Sequence, residues 1–249
     1  MKGKGSLKMS KGTKIYMGIC SLIIACAVIV GVFTRLSFQG STTLDQLMSS
    51  KNTDKYTIQI FEDDSQDDKF SQFANVKNYD ELNKNSVLIA KVKVTHDRSL
   101  YSNTVNTRAI IKEIYKSDGN LKKNDNIYIY EPADFEEDFE IFDSTGGYQL
   151  MKTGKEYYVF LNGLKTAQGY KKSKKEKITF VPSTTKYSVY SAENKKKQVL
   201  DNEKINGNKK EYHYGEIKNL SILTFEKNEL RTYDNIRTEF MKKIDNKEF

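Results

Sequence analysis

The sequence predicts a mainly β protein: a small antiparallel β-barrel with a short helix before it and a C-terminal helix, preceded by one N-terminal transmembrane helix. Three observations carry this prediction. Residues 15–33 form one uncharged apolar run. Residues 86–161 contain segments in which apolar and polar residues alternate, which is typical of strands. Residues 226–249 lack Gly and Pro and repeat apolar residues every three or four positions, which is typical of an amphipathic helix.

The apolar run reads IYMGICSLIIACAVIVGVF and is 19 residues long. As a helix it would span about 28 Å, close to the hydrocarbon thickness of a bilayer. Five lysines precede it and Arg35 follows it, a charge distribution that favours a cytoplasmic N-terminus. We therefore expect a signal-anchor in the cell membrane, single-pass, with the C-terminal domain extracellular. The anchor residues would be Ile15, Leu22, Ile23, Ile24, Val28, Ile29, Val30 and Phe33.

Two alternatives for this run stay open. Ala25-Cys26-Ala27 has the small-x-small form of a signal-peptide cleavage site, although it lies in the middle of the run. Residues 23–26 resemble a relaxed lipobox, in which Cys26 would be acylated. Either alternative, like the anchor, places the residues after about 40 outside the cytoplasm.

Composition limits the function classes. Six of the 41 basic residues flank the apolar run, which leaves 35 basic against 33 acidic residues and gives no case for nucleic acid as a partner. Both cysteines, Cys20 and Cys26, lie in the run. The remainder of the chain therefore offers no disulfide, no cysteine-based metal site and no cysteine nucleophile.

The elements follow from local patterns. Asn78 and Glu81 have the spacing of a helix N-cap and its third residue, which predicts a short helix over 78–84. In VLIAKVKV one strand face carries Leu88, Ala90, Val92 and Val94, and the other carries Lys91 and Lys93. A second strand over 104–115 changes phase near Lys112, which indicates a bulge or bend. Further strands are predicted at 56–61, 127–130, 157–161, 178–181, 187–190, 212–214 and 221–225.

The predicted organisation has five parts, and residues 191–211 within it read as a long loop. In order they are a cytoplasmic basic leader at 1–14, a transmembrane helix at 15–34, a juxtamembrane tether at 35–55, a β-barrel domain with lysine-rich loops at 56–225, and an amphipathic helix at 226–249.

The order of these features resembles a known fold. VLIAKVKV, then TRAIIKEIYKSDG, then IYIY, then LMKTGKEYYVFL is similar to the OB-like, netrin/TIMP-type barrel of small exported Gram-positive proteins, over roughly residues 86–165. TIMP-like inhibitors act through an N-terminal cysteine held by disulfides, and the residues after Cys26 contain no cysteine. The resemblance therefore implies an OB-like fold and not an activity.

No catalytic or metal site is predicted, and no cofactor. His96 and His213 lie in polar segments, and no G-x-S-x-G turn is present for a serine nucleophile. The acidic runs 62–68 and 131–143 offer oxygen ligands suited to calcium, but neither has EF-hand spacing. Solvated acidic loops are the more common role of such runs.

A lysine-rich segment is stronger evidence of a binding surface than the histidines or the acidic runs. We name Lys171, Lys172, Lys174, Lys175 and Lys177 the lysine patch, which could attract an anionic surface or could simply solubilise a hairpin. The expected partners are the lipid bilayer and either another envelope protein or an anionic cell-wall polymer. The expected function is a non-enzymatic, membrane-anchored extracytoplasmic binding or accessory module of the bacterial envelope. The alternatives are an envelope hydrolase that uses carboxylates of 131–143, and an immunity or stress lipoprotein acylated at Cys26.

Overall fold

The computed structural model describes most of the chain. The described residues are 11–39, 44–48, 53–61, 73–101, 103–193, 196–201 and 212–249. Contacts divide the chain into two units, Met1–Thr42 and Thr43–Phe249. The predicted acidic loop at 62–68 and most of the predicted loop at 191–211 lie outside the described residues.

The described residues form five α-helices and nine strands. The helices are α1 (Lys11–Gln39), α2 (Leu44–Leu47), α3 (Tyr79–Lys84), α4 (Tyr214–Ile217) and α5 (Lys227–Asp245). The strands are β1 (Thr57–Phe61), β2 (Leu88–Tyr101), β3 (Thr104–Ser117), β4 (Asn126–Glu131), β5 (Ala133–Glu136), β6 (Ile141–Thr145), β7 (Glu156–Gly163), β8 (Thr179–Pro182) and β9 (Val189–Ser191).

Helix α1 is the whole of the described part of the first unit. Among the described residues, none of the helices combines the length and the apolarity that crossing a membrane requires. The predicted transmembrane signal-anchor at 15–34, with its single-pass topology and extracellular C-terminal domain, is therefore wrong. The prediction rested on the length of the uncharged run and on the basic residues that flank it. The apolar run is only part of helix α1, which begins at Lys11 and ends at Gln39.

The larger sheet has the strand order β2-β3-β4-β8-β7-β9, and β2 pairs with β7 as well. The pairs β2–β3, β3–β4, β2–β7, β7–β8 and β7–β9 are antiparallel, whereas β4 and β8 are parallel. The phase change near Lys112 is a bulge, because Lys91 pairs with Glu113 and the next residue, Val92, pairs with Ile111. The bulge keeps the apolar residues on both sides of it directed towards the core.

The smaller sheet has the order β1-β6-β5. Strand β1 runs parallel to β6, with Thr57 opposite Ile141 and Phe61 opposite Thr145. Strands β5 and β6 are antiparallel, and Phe135 lies opposite Phe142. Both phenylalanines are buried and form part of the core that lies under this sheet.

The predicted fold class needs correction. The chain is mainly β, but its strands form two sheets with two parallel pairs, and no clear closed antiparallel barrel of the OB-like kind is present in the described residues. Only two residue pairs join β4 to β8. Parallel pairs connect strands far apart in sequence, so local alternation does not reveal them. The acidic segment 131–143, predicted as a loop, contributes β5 and part of β6.

The core has an aromatic layer between α5 and the larger sheet. Tyr233, Ile236 and Phe240 of α5 are buried against Phe160 of β7. Helix α3 packs on the same layer through Tyr79. These contacts bury the apolar face predicted for the C-terminal helix.

Two weaker strand predictions are wrong. Tyr214 begins α4, and the segment 221–225 has no regular structure. Leu44 and Leu47, within the predicted tether, are buried in the core of the second unit.

Candidate functional site

A groove of about 770 Å³ lies in the second unit. It lies where β2 meets β3, beside the end of β4 and under the connection from β7 to β8. We call it the tyrosine groove. Its lining residues are Phe73, Tyr101, Asn103, Thr104, Tyr130, Pro132, Thr145, Leu164, Lys165, Thr166, Ala167, Tyr170, Glu176 and Val181.

Two stacked tyrosines form one wall of the groove. The rings of Tyr101 and Tyr130 are 5.8 Å apart between centroids and only 12° from parallel. Strand alternation explains their placement, because Ile129 of β4 is directed into the core and Tyr130 is therefore directed outward. Tyr101, at the end of β2, is 64% exposed. The stack therefore offers a free aromatic face to a ligand.

A third tyrosine is held at the opposite side by a local hydrogen-bond network. The hydroxyl of Tyr170 donates to Glu176 Oε1 at 2.7 Å. The Ser173 backbone N–H donates to Glu176 Oε2 at 2.7 Å, and the Glu176 N–H donates to Ser173 Oγ at 3.2 Å. These reciprocal bonds fix Glu176 against Ser173, so Tyr170 is held in place although it is 54% exposed.

Tyr130 and Tyr170 stay protonated at neutral pH, because their surroundings raise the pKa of each hydroxyl. Burial, then the neighbouring Tyr101 and Glu176, raise the pKa of Tyr130. The hydrogen bond to Glu176, then its negative charge, raises the pKa of Tyr170. The Tyr130 hydroxyl can therefore donate a hydrogen bond to an acceptor, whereas the Tyr170 hydroxyl already donates to Glu176 and offers its ring face.

The lysine patch lies on the same connection between β7 and β8 as Tyr170. Lys171, Lys174, Lys175 and Lys177 are exposed, and Lys172 is half-buried. The ammonium of Lys175 lies 4.6 Å from the ring centroid of Tyr128, two residues before Tyr130 on β4. The fold therefore brings positive charge close to the aromatic wall. In the sequence, Tyr130 and the lysine patch are about forty residues apart.

The acidic segment 131–143 does not act as one site. Glu131 is fully buried and accepts 2.7 Å and 2.8 Å hydrogen bonds from Arg98 Nη2 and the Met151 N–H. The hydroxyls of Thr107 and Tyr148 donate to the same carboxylate. The carboxylate oxygens of Glu131 thus accept hydrogen bonds from within the fold. Glu131 is therefore not available as the catalytic carboxylate that the hydrolase alternative requires.

Three other carboxylates of the segment lie on the smaller sheet. Asp134 and Asp143 are directly opposite each other on β5 and β6. Burial, then a hydrogen bond with Glu136, raises the pKa of Asp143 to about 7, and burial raises that of Asp134 to about 6. The described residues contain no group of three or more His, Cys, Asp or Glu able to hold a metal ion.

Neither histidine is among the lining residues of the groove, and the predicted anchor residues belong to the first unit. His96 is largely exposed, and its Nδ1 lies 2.9 Å from Asp45 Oδ2. His213 precedes α4, and its N–H donates to Glu216 Oε2 at 2.9 Å. Cys26 is exposed on α1. The predicted anchor residues all lie on α1, and six of them are 54% to 66% exposed: Leu22, Ile23, Ile24, Val28, Ile29 and Val30.

The groove itself was not predicted. Its aromatic residues, Phe73, Tyr101, Tyr130 and Tyr170, come from four separate segments, so no single motif marks it. A partial signal exists in IYIY, where alternation places Tyr128 and Tyr130 on one face. Neither the protein-family models nor the curated proteins compared with this chain give a match.

Proposed function

We propose that the protein is a non-enzymatic binding module whose tyrosine groove holds an extended anionic carbohydrate. The observation that carries the proposal is the stacked pair of exposed Tyr101 and half-buried Tyr130 beside the lysine patch. An aromatic face packs well against the apolar face of a ring, and a phenol hydroxyl hydrogen-bonds to ring substituents. The groove volume falls within the range of ligand sites in proteins.

Charge supports an anionic ligand. Residues 165–218 carry 14 basic and 6 acidic side chains, and the lysine patch is the densest part of that segment. Exposed lysines raise the local concentration of an anionic polymer without fixing its orientation, whereas the tyrosines supply orientation. The near balance of charge outside the N-terminal segment argues against nucleic acid as the preferred polyanion.

Titration calorimetry with four polymers would test this proposal. Heparin combines sugar rings with negative charge, dextran has rings without charge, polyphosphate has charge without rings, and oligo-dT has nucleobases with charge. We expect heparin to bind most tightly. Loss of a stacking ring is worth about 1–3 kcal/mol, so Tyr101→Ala should weaken heparin binding roughly tenfold.

Matched variants separate groove effects from general ones. Phe139→Ala removes an aromatic ring that is 72% exposed and does not line the groove, so it should leave the affinity unchanged. Lys174→Gln with Lys177→Gln should reduce the salt dependence, whereas Lys122→Gln with Lys123→Gln on another turn should not. Tighter binding of oligo-dT or polyphosphate than heparin, or equal binding by Tyr101→Ala and wild type, would overturn the proposal.

A further inference from the structure

A second, smaller pocket of about 300 Å³ lies elsewhere in the second unit. We call it the lysine pocket. Its lining residues are Asp45, Met48, Lys152, Thr153, Tyr214 and Lys218. It shares no residue with the tyrosine groove, and an inference about it does not depend on the proposed function.

The hydroxyl of Tyr214 is the most informative feature of the pocket. Tyr214 is 0% exposed, and its ring is fixed by Phe142 and Phe135 at centroid distances of 4.5 Å and 4.9 Å. Among the described residues, its hydroxyl has no hydrogen-bond partner. Buried hydroxyls in folded proteins are nearly always paired, so an unpaired one beside a cavity points to a missing acceptor. Burial raises the pKa of Tyr214 well above its usual range, which keeps the hydroxyl a donor.

Two lysines converge on the same pocket without a carboxylate partner. In the described part of the chain, neither Lys152 nor Lys218 lies within 4.0 Å of an acidic side chain. Lys152 Nζ donates to Asn219 Oδ1, and Lys218 Nζ donates to Thr53 Oγ1 at 3.2 Å. Burial, then the positive charges of Lys218 and Lys155, lowers the pKa of Lys152. An anion between the two lysines would relieve this repulsion.

Asp45 is the one acidic residue of the lining, and both of its carboxylate oxygens already have polar partners within the protein. Its Oδ1 accepts a 2.6 Å hydrogen bond from the Thr153 hydroxyl, and its Oδ2 lies 2.9 Å from His96 Nδ1. Burial opposes ionisation of Asp45, but these two hydrogen bonds and the charge of Arg98 lower its pKa overall. The lining therefore keeps an excess of positive charge, which disfavours a cation.

We propose that the lysine pocket binds a small oxyanion of the phosphate class, free or as a phosphomonoester. Lys152 and Lys218 supply the charge, and the Tyr214 hydroxyl donates a hydrogen bond to an oxyanion oxygen. The volume is at the lower end of small-molecule sites, so the pocket accommodates the anion with a short substituent.

Thermal unfolding of the full chain and titration calorimetry would test the site. The probes are inorganic phosphate and glycerol 3-phosphate, each compared with chloride at the same ionic strength. We expect phosphate, but not chloride, to raise the unfolding temperature, because a ligand that binds only the native state stabilises it. Tighter binding of phosphate would indicate the free anion, and tighter binding of glycerol 3-phosphate would indicate an ester; either result supports the site.

Three variants make the test specific. Lys152→Gln with Lys218→Gln should abolish the phosphate shift, whereas Lys122→Gln on an exposed turn should leave it unchanged. Tyr214→Phe should weaken phosphate roughly tenfold, the cost of one hydrogen bond to a charged group. It should also leave the unfolding temperature without phosphate unchanged or higher, since an unpaired hydroxyl is removed.

The opposite results are equally clear. A wild-type shift that is the same with phosphate and chloride would overturn the proposal, as would an unchanged phosphate affinity in Tyr214→Phe. Circular dichroism would show whether the double variant folds. If it does not, Tyr214→Phe and the single variant Lys218→Gln still decide the outcome.

Discussion

Arg98 Nη2 lies 2.7 Å from Glu131 Oε1, and the two side chains are only 1% and 0% exposed. Thr107 bridges them, because its hydroxyl accepts from Arg98 Nε at 2.9 Å and donates to Glu131. The pair joins β2 to the end of β4 across β3. It is a buried network in which every member depends on the others.

Replacing Glu131 by Gln tests the importance of this pair. The substitution preserves shape but leaves the Arg98 charge buried without a counter-ion, so we expect a loss of about 3–5 kcal/mol in the free energy of unfolding. Urea denaturation would measure it. Glu193→Gln, which breaks the exposed pair with Lys155, should cost less than about 1 kcal/mol. Equal costs for the two variants would contradict the assignment.

The carboxylates of the smaller sheet predict a pH dependence. The pKa of Asp143 is raised to about 7 in the folded protein, so between pH 4 and pH 7 the native state holds a proton that the unfolded state has lost. Stability therefore falls as the pH rises through this window. The charged and polar groups beside Asp143 are Asp134 and Glu136 on β5, and Gln59 opposite it on β1.

Asp143→Asn removes this titration. Because Asp143 is partly exposed, we expect a gain of only about 1–2 kcal/mol at pH 7.5 and little change at pH 4. Urea denaturation at several pH values would measure the profile. Asp138→Asn, at an exposed position on the turn between β5 and β6, should leave the profile unchanged. A wild-type profile in Asp143→Asn would show that the destabilising titration lies elsewhere.

Substitutions at two glycines with similar φ angles would distinguish the cost of backbone strain from the cost of a steric clash. Gly147 and Gly154 have φ values of 78° and 79°, a region that favours glycine. A Cβ at Gly147 would overlap the carbonyl oxygen of Leu223, whereas a Cβ at Gly154 would meet nothing within 4 Å. Gly154→Ala should therefore cost about 1–2 kcal/mol from strain alone. Gly147→Ala should cost clearly more, and thermal unfolding of both variants would show whether it does.

The aromatic layer under α5 predicts a large packing effect. Phe240 is 0% exposed and lies 4.9 Å from the Phe160 ring between centroids. Phe240→Ala should lower the free energy of unfolding by about 3–5 kcal/mol, because it leaves a cavity in the core. Phe139→Ala, on an exposed turn, should change it by less than about 0.5 kcal/mol. A small effect at Phe240 would mean that α5 is not an integral part of the domain.

Part of this fold was predictable because its cause is local. Asn78 Oδ1 accepts from the Glu81 N–H at 2.9 Å, so the short helix begins where the capping residues indicate. The bulge at Lys112 was readable from a phase change within one strand. The C-terminal helix was readable because Tyr233, Ile236 and Phe240 recur at helical spacing.

The candidate sites were not predictable in this way. The tyrosine groove joins the end of β2, the end of β4 and the β7–β8 connection, and only pairing between distant strands brings these together. The lysine pocket joins α2, the turn before β7 and α4. The acidic segment read as one loop, yet Glu131 is directed inward to Arg98 and Asp143 outward on the smaller sheet.

By itself the sequence determined the period-two strands, the capped helix, the amphipathic helix, and the absence of cysteine beyond Cys26. These features depend on steric and solvation preferences of neighbouring residues, which are present in any short window of the chain. The tertiary structure decided the two parallel strand pairs, the burial of Glu131 and the unpaired hydroxyl of Tyr214. Their energies depend on partners far away in sequence. A short window of the sequence does not contain those partners, so it cannot predict these features.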